Sequence, residues 1–372
     1  MLDLDPKTYG VSNVDEIDSP ALLVYEERLN ENLRRMVAQA GGAERLCPHV
    51  KTHKLAQVIS RQVELGVRKF KAATIAEAEM CAAAGAPQVL LAHAPVGPRA
   101  ERLAALVRAF PQTGFAVIVD DAEVARHLSN VVSRAGLSLD VLLDIDCGMH
   151  RSGIAAGPGA EALYRLVNDL PGLRAVGLHA YDGHIHDTDL TVRRARCEEA
   201  LGPVLAMRDR LRAAGLSVAR LVTGGTPTFP LLAARSDVEC SPGTSVLWDY
   251  GYATQLPDLD YLCAAALLTR VTSRPLPHRL CLDLGHKSVG SEMPQPRVIV
   301  LGLEDAKLVG HSEEHLVLET DRAADYPPGT ALYALPWHIC PTVNLHSEVV
   351  LVQNGRATTR WPVAARSRRI TL

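Results

Sequence analysis

Aromatic residues make up only 4% of this 372-residue chain, too few for the stacking platforms that bind single-stranded nucleic acid. Neither sign of charge is in excess. Thirty-nine Lys and Arg stand against 42 Asp and Glu, a formal net charge of -3, which removes the electrostatic reason to expect nucleic acid or an anionic membrane as partner. No apolar run approaches the length of a membrane span; the best candidate, "CAAAGAPQVLLAHAPVG", is interrupted by Gly and Pro. The eight cysteines include no close pair, which fits reduced thiols better than a disulfide frame. The start "MLDLDPKTYG" is acidic and lacks an apolar h-region, so no secretory signal is visible and a cytoplasmic location is expected.

What is present is an ordinary globular balance, 47% hydrophobic and 22% charged, enough for a sizeable core. From about residue 20 to 245 a unit recurs: a short β-branched or Leu-rich run, then a charged segment with helical spacing. The runs are "RLCPHV", "FKAAT", "QVLLAH", "FAVIV", "LDVLLDID", "AVGLHAY", "RLVTGG" and "DVECSPG", with "ALLVY" set apart before them. Several of the helical segments end at Gly, as a C-cap does. Alternating β and α elements indicate a parallel sheet, and eight units close a TIM (β/α)8 barrel. A doubly wound open sheet is the rival, reached by a miscount of one or two strands.

After residue 245 the pattern changes to alternating apolar and polar residues, as in "HLVLET" and "SEVVLVQNGRATTRW", with Asn354-Gly355 as a hairpin turn. The expected organisation is a barrel over 20–245 followed by an antiparallel β domain over 246–372, with residues 1–19 packing on the latter.

A barrel carries its chemistry at the C-terminal ends of its strands, so each candidate is judged by what it follows. In "CPHVKTHK", Lys51 directly follows the first run. Among apolar neighbours its ammonium can lose a proton and the amine can act as a nucleophile; the alternative is a surface lysine at a helix start. Lys54, one turn further on, reads as a solvated charge. In "DIDCGMHRSGI", Arg151 stands between Gly148 and Gly153, which let backbone approach a ligand. It can hold a phenolate or carboxylate, or be bridged to Asp144 or Asp146. In "HAYDGHIHD", Tyr181 is best placed to face a ligand, while His184 and His186 read either as a metal pair or as a polar loop. "TGGTPTFP", with Thr223, Gly224, Gly225 and Thr226, follows the seventh run and opens a helix. "SPGTS", with Gly243 and Thr244, follows the eighth. Loops at these two positions are the usual phosphate site of the fold. In "PWHICPTVNLH", His338 and Cys340 alternate along an extended segment and share a face; imidazole and thiolate suit a divalent ion such as Zn²⁺, or are a buried His and a buried Cys.

Taken in order, "PHVKTHK", "DCGMHRSG", "AYDGH", "TGGT", "LDLGHKS", "SEEH" and "HICPTVNLH" resemble the D-threonine aldolase and D-serine dehydratase family, fold-type III pyridoxal phosphate enzymes with the alanine-racemase-like architecture. The likeness runs over nearly the whole chain. It implies pyridoxal 5'-phosphate carried on Lys51 as a Schiff base, with His49 as a pocket wall, Arg151 near the phenolate oxygen and Tyr181 lining the pocket. It implies a phosphate held by Thr223, Gly224, Gly225, Thr226, Gly243 and Thr244. It implies one divalent metal ion (Zn, Mn or Mg) on His338 and Cys340, a small D-amino acid substrate and a homodimer. His-x-Cys at the metal position is similar to the dehydratases, while "PTVNLH" is closer to the aldolases.

The expected activity is therefore a metal-assisted pyridoxal phosphate lyase on D-3-hydroxy amino acids, of the D-threonine aldolase type. The alternative is a D-serine or D-3-hydroxyaspartate dehydratase, and the third reading is a racemase, which needs a second base and no metal. A non-enzymatic cofactor carrier is disfavoured by the long β domain.

Overall fold

The structure, a computed structural model, describes residues 2–372. They form two compact units, each discontinuous in sequence. One contains Met36–Lys51, Ala56–Gly243 and Ser367–Leu372. The other contains the chain through Arg35, Thr52–Leu55 and Thr244–Arg366.

The first unit is the barrel. Its parallel strands run in the order Lys69–Ala72, Gln88–Leu91, Gly114–Val119, Leu139–Asp146, Leu173–Ala180, Arg220–Thr223 and Glu239–Cys240. The eighth stave is Leu46–His49, which joins the two ends through single bridges, Leu46 to Cys240 and His49 to Lys71. Four backbone bonds of 2.8–2.9 Å make this seam: Cys47 N–H to Cys240 O, His49 N–H to Pro242 O, Val50 N–H to Lys71 O and Lys71 N–H to Pro48 O. Each of the eight runs read in the sequence thus occupies one stave.

Local chemistry explains the alternation. Helices Ile75–Ala83 and Ala122–Arg134 begin at Thr74 and Asp121, whose side chains accept the first free backbone N–H groups. The helices that end near residues 40, 64, 83 and 134 are followed by Gly41, Gly66, Gly85 and Gly136, all at positive φ, where the absent Cβ makes the left-handed turn inexpensive. Cys47, Leu90, Ala116, Ile118, Leu142 and Val222, all from barrel staves, form one buried apolar cluster. Next to it lies a small ionic group in which Glu239 takes both Lys69 and Arg220.

The second unit is a mostly antiparallel sheet around Ala265–Ser273. Ala21–Tyr25, the strand set apart in the sequence, pairs antiparallel with Ala265–Ser273 and parallel with Glu348–Gln353. The hairpin Glu348–Gln353/Arg356–Pro362 turns at Asn354 (φ 49°) and Gly355 (φ 70°), the primed geometry that Asn-Gly favours.

Two local readings are corrected. "PWHIC" is not extended: Ile339–Leu345 is an α-helix with His338 at its N-cap. Asp249 Oδ2 accepts the Ile339 N–H at 3.0 Å, and Thr342 Oγ1 donates to His338 O at 2.8 Å. Lys54 is not solvated either. It is buried at φ 54°, with Nζ donating to Ala365 O at 3.3 Å.

Candidate active site

The barrel places its reactive side chains at the C-terminal ends of its strands. Lys51 lies half-buried in the turn after Leu46–His49, and its backbone N–H donates to His49 Nδ1 at 3.3 Å. Tyr181 directly follows Leu173–Ala180. Its ring is the meeting point of the site: Lys51 Nζ lies 5.5 Å from the ring centroid, Lys71 Nζ 5.3 Å and Arg151 Cζ 5.1 Å.

Arg151 is not bridged to either candidate aspartate. Asp146 instead holds His150 at 2.8 Å and accepts the Gly148 and His150 N–H groups. Asp144 accepts from His179 Nδ1 at 2.7 Å and Ser152 Oγ at 3.0 Å. Burial works to raise the Asp144 carboxyl, yet the His179 and Ser152 bonds hold it below the usual range. Burial pushes His179 down, against the pull of Asp144, so the pair is carboxylate and neutral imidazole. The other ring nitrogen, His179 Nε2, is buried with no partner among the described residues.

The loop after Arg220–Thr223 carries Thr223, Gly224, Gly225 and Thr226 in buried positions. The helix it opens, Phe229–Ala233, is only five residues long. Gly225 N–H already donates to Thr228 Oγ1 at 3.3 Å, and Gly243 N–H donates to Thr226 Oγ1 at 3.1 Å. The two loops therefore meet each other through Thr226. Asp182 is buried beneath them, and desolvation raises its carboxyl to about 6 against hydrogen bonds from Thr228 and Gly225.

In the second unit, Cys340 Sγ lies 3.2 Å from Thr52 Oγ1 and 3.7 Å from Thr244 Oγ1. Thr244, expected among the phosphate ligands, thus has its described contact with Cys340. His338 Nδ1 is hydrogen-bonded to Glu292. Burial alone would lower the His338 pKa; Cys340, Asp249 and Glu292 together raise it to about 9. An imidazole whose far nitrogen is held by a carboxylate is the arrangement metal-binding histidines use, and with the neighbouring thiol it fits a divalent ion. Among the described residues no group of three or more His, Cys, Asp or Glu stands in metal-holding geometry, so this pair needs water or substrate to complete a shell. His184 and His186 likewise belong to no such group of three or more among the described residues.

The donor set of the barrel also fits an anionic aromatic aldehyde: an amine, two further cations with no salt bridge to a carboxylate among the described residues, an aromatic wall and two Gly/Thr loops. Sequence reasoning missed Lys71, the Asp144–His179 pair and Glu292. The signal for Lys71 was there, in "KFKAA", where two lysines alternate in an otherwise apolar barrel strand.

Comparison with known proteins gives the family. Residues 24–250 match the family described as alanine racemase, N-terminal domain, and residues 264–352 the putative serine dehydratase domain. A D-threonine aldolase from Arthrobacter sp. is 30% identical over 98% of this chain and 96% of its own. The crystal structure of D-threonine aldolase from Filomicrobium marinum superposes with a TM-score of 0.87 at 29% identity, covering 97% of this chain and 98% of that one. D-threo-3-hydroxyaspartate dehydratase from Delftia sp. HT23 gives 0.82 at 26% identity over 93% and 97%, and a metal-free form of a D-threo-3-hydroxyaspartate dehydratase mutant is also among the similar structures. The fold is that of the alanine-racemase-like pyridoxal phosphate enzymes. Within them the chain belongs to the D-threonine aldolase and D-serine dehydratase family, and it is a lyase. Among the described residues no helix is long and apolar enough to cross a membrane.

Proposed function

We propose that the chain cleaves D-3-hydroxy amino acids to glycine and an aldehyde, as a metal-assisted aldolase of the D-threonine type. The observation that carries the proposal is the convergence of Lys51 and Arg151 on the Tyr181 ring at the C-terminal mouth of the barrel. Lys51 is the amine that holds the cofactor's aldehyde carbon. Arg151 supplies a permanent cation for its ring oxygen, His49 and Tyr181 wall the pocket, and Thr223, Gly224, Gly225, Thr226, Gly243 and Thr244 hold the phosphate. Bound there, pyridoxal phosphate supplies an electron sink for the bonds at the substrate's Cα.

His338 and Cys340 hold the divalent ion, with Glu292 fixing the imidazole. Such an ion lowers the proton affinity of an adjacent hydroxyl, the group that must lose its proton for Cα–Cβ cleavage. By the same family resemblance the working form is a homodimer acting on small D-amino acids, and the scattered cysteines suit the cytoplasm.

Cys340 favours a second reading. A thiolate donor suits Zn²⁺ and is a softer ligand than a carboxylate, in line with a dehydratase that releases a 2-oxo acid and ammonia. Incubation of the loaded, metal-replete protein with D-threonine and with D-3-hydroxyaspartate decides between them. Glycine plus aldehyde is expected; 2-oxo acid plus ammonia as the main products would overturn the aldolase reading.

A further inference from the structure

The strand Lys69–Ala72 carries two lysines that point to the same side, since side chains two apart in a strand do. Lys69 is held as a structural lysine is held, with Nζ 3.1 Å from Glu239. Lys71 is not. It is 2% exposed, and among the described residues its ammonium has no ion pair or hydrogen-bond acceptor, only the Tyr181 ring at 5.3 Å. The groups around it are Cys47, Lys51, Asp182 and Asp144, with His179 beside Asp144. Both acids are engaged elsewhere, Asp144 by His179 and Ser152, Asp182 by Thr228 and Gly225. Burying an ammonium without an acceptor is costly. Burial accordingly lowers the Lys71 pKa to about 8, with the like charge of Lys51 adding to it. A methionine would fill the space without that cost.

Three cations facing one ring, with the local acids occupied, are a site for an anion. In pyridoxal the ring oxygen sits on the carbon next to the one that bears the aldehyde. Lys51 and Lys71 lie on neighbouring staves, joined by the bridge from His49 to Lys71. With the phosphate arm, on the other flank of the aldehyde carbon, toward the loops after the seventh and eighth staves, a cofactor carried on Lys51 would turn that oxygen to the side where Lys71 stands. Resting on the reading of Lys51 as the carrier, we propose that Lys71 is a further cofactor-binding residue, which donates with Arg151 to the ionised ring oxygen of pyridoxal phosphate and keeps it ionised.

The test uses full-length protein loaded with pyridoxal phosphate, as wild type, Lys71→Met and Lys71→Arg. Absorption spectra are recorded from pH 6 to 10, the cofactor is fixed by borohydride reduction and located by peptide mass spectrometry, and melting curves confirm the fold. In Lys71→Met, part of the visible-violet band is expected to pass to the near-ultraviolet, and the pH at half-conversion to move by about one unit or more. Lys71→Arg, which keeps the charge, is expected to retain the wild-type band. A folded, fully loaded Lys71→Met protein with an unchanged band and midpoint overturns the proposal. So does an equal change in Lys71→Arg, because charge is then not what Lys71 supplies. A reduced adduct on Lys71 rather than Lys51 overturns it as well. Wild type that forms no adduct on Lys51 and no visible band removes the functional reading itself, an outcome distinct from these.

Discussion

The His179 imidazole meets the Asp144 carboxylate at 2.7 Å, with each residue only 4% exposed. The folded Asp144 pKa lies below its ordinary value, so its contribution is present above the unfolded value and lost as acid protonates it. The folded His179 pKa is lowered too. The unfolded chain thus binds a proton near its ordinary His pKa that the folded chain refuses, and this also reduces stability as pH falls. Melting temperature is expected to drop from pH 7 to pH 4, and Asp144→Asn to cost about 2–3 kcal/mol at pH 7 by weakening a buried charged hydrogen bond. Calorimetry across pH checks both; a variant as stable as wild type at pH 7 would show that the pair holds nothing.

Removing the amine should separate loading from folding. Lys51 is half-buried and has no described side-chain hydrogen bond, so Lys51→Ala is expected to change stability by less than about 1 kcal/mol. The same variant should lose the visible band completely. A retained band points to a different carrier lysine.

Lys71 is expected to reduce the stability of the cofactor-free protein. Its folded pKa of about 8 lies below the ordinary 10.5, so the unfolded chain binds more protons between those values and wild type gains stability as pH rises through that window. Lys71→Met, free of this penalty, should be more stable than wild type at pH 7 by on the order of 3 kcal/mol. The difference should shrink toward pH 10. Denaturant titrations at the two pH values provide the measurement, and a gap that widens with pH contradicts the burial described for Lys71.

Gly153 closes the loop that carries Arg151. At φ +96°, a Cβ there would lie 2.5 Å from the Asp146 backbone N, a clash that no rotamer relieves. Gly153→Ala is expected to cost about 1–3 kcal/mol of stability and to weaken cofactor affinity at least roughly tenfold by displacing Arg151. Fluorescence titration with pyridoxal phosphate gives the second number.

Exchanging the soft donor for a hard one should change the metal. Cys340→Asp is expected to move the activating ion from Zn²⁺ toward Mn²⁺ or Mg²⁺. Chelation should stop turnover in both proteins while leaving the visible band in place. Reconstitution of chelated protein with each ion reads the preference, and turnover that survives chelation would remove His338 and Cys340 from the reaction.

The architecture was legible wherever hydrophobic rhythm and punctuation agreed. "FAVIV" and "LDVLLDID" are buried strands, and Thr74, Asp121, Gly85 and Gly136 mark helix ends as their chemistry requires. Reading failed where long-range partners decide. "HIC" alternates like a strand, but Asp249, 90 residues away, accepts the Ile339 N–H and starts a helix, and Pro341 sits in the first turn where Pro is tolerated. Lys54 looked solvated because nothing local reveals that Ala365 O will receive it. Lys71 was passed over as one residue of a strand, since inward or outward orientation depends on register with strands not yet placed.

The barrel is sealed at Leu46–His49 by isolated bridges and four backbone bonds, whereas most of its other neighbouring staves share ladders of four or more residue pairs. Opening free energy is unevenly distributed in a fold, and sparse pairing marks its low end. The stave that leads directly into Lys51 is thus among those that can part from their neighbours with small losses. Amide protons of Cys47, His49 and Val50 should exchange earlier than those of the laddered staves and slow down when Lys51 carries the cofactor.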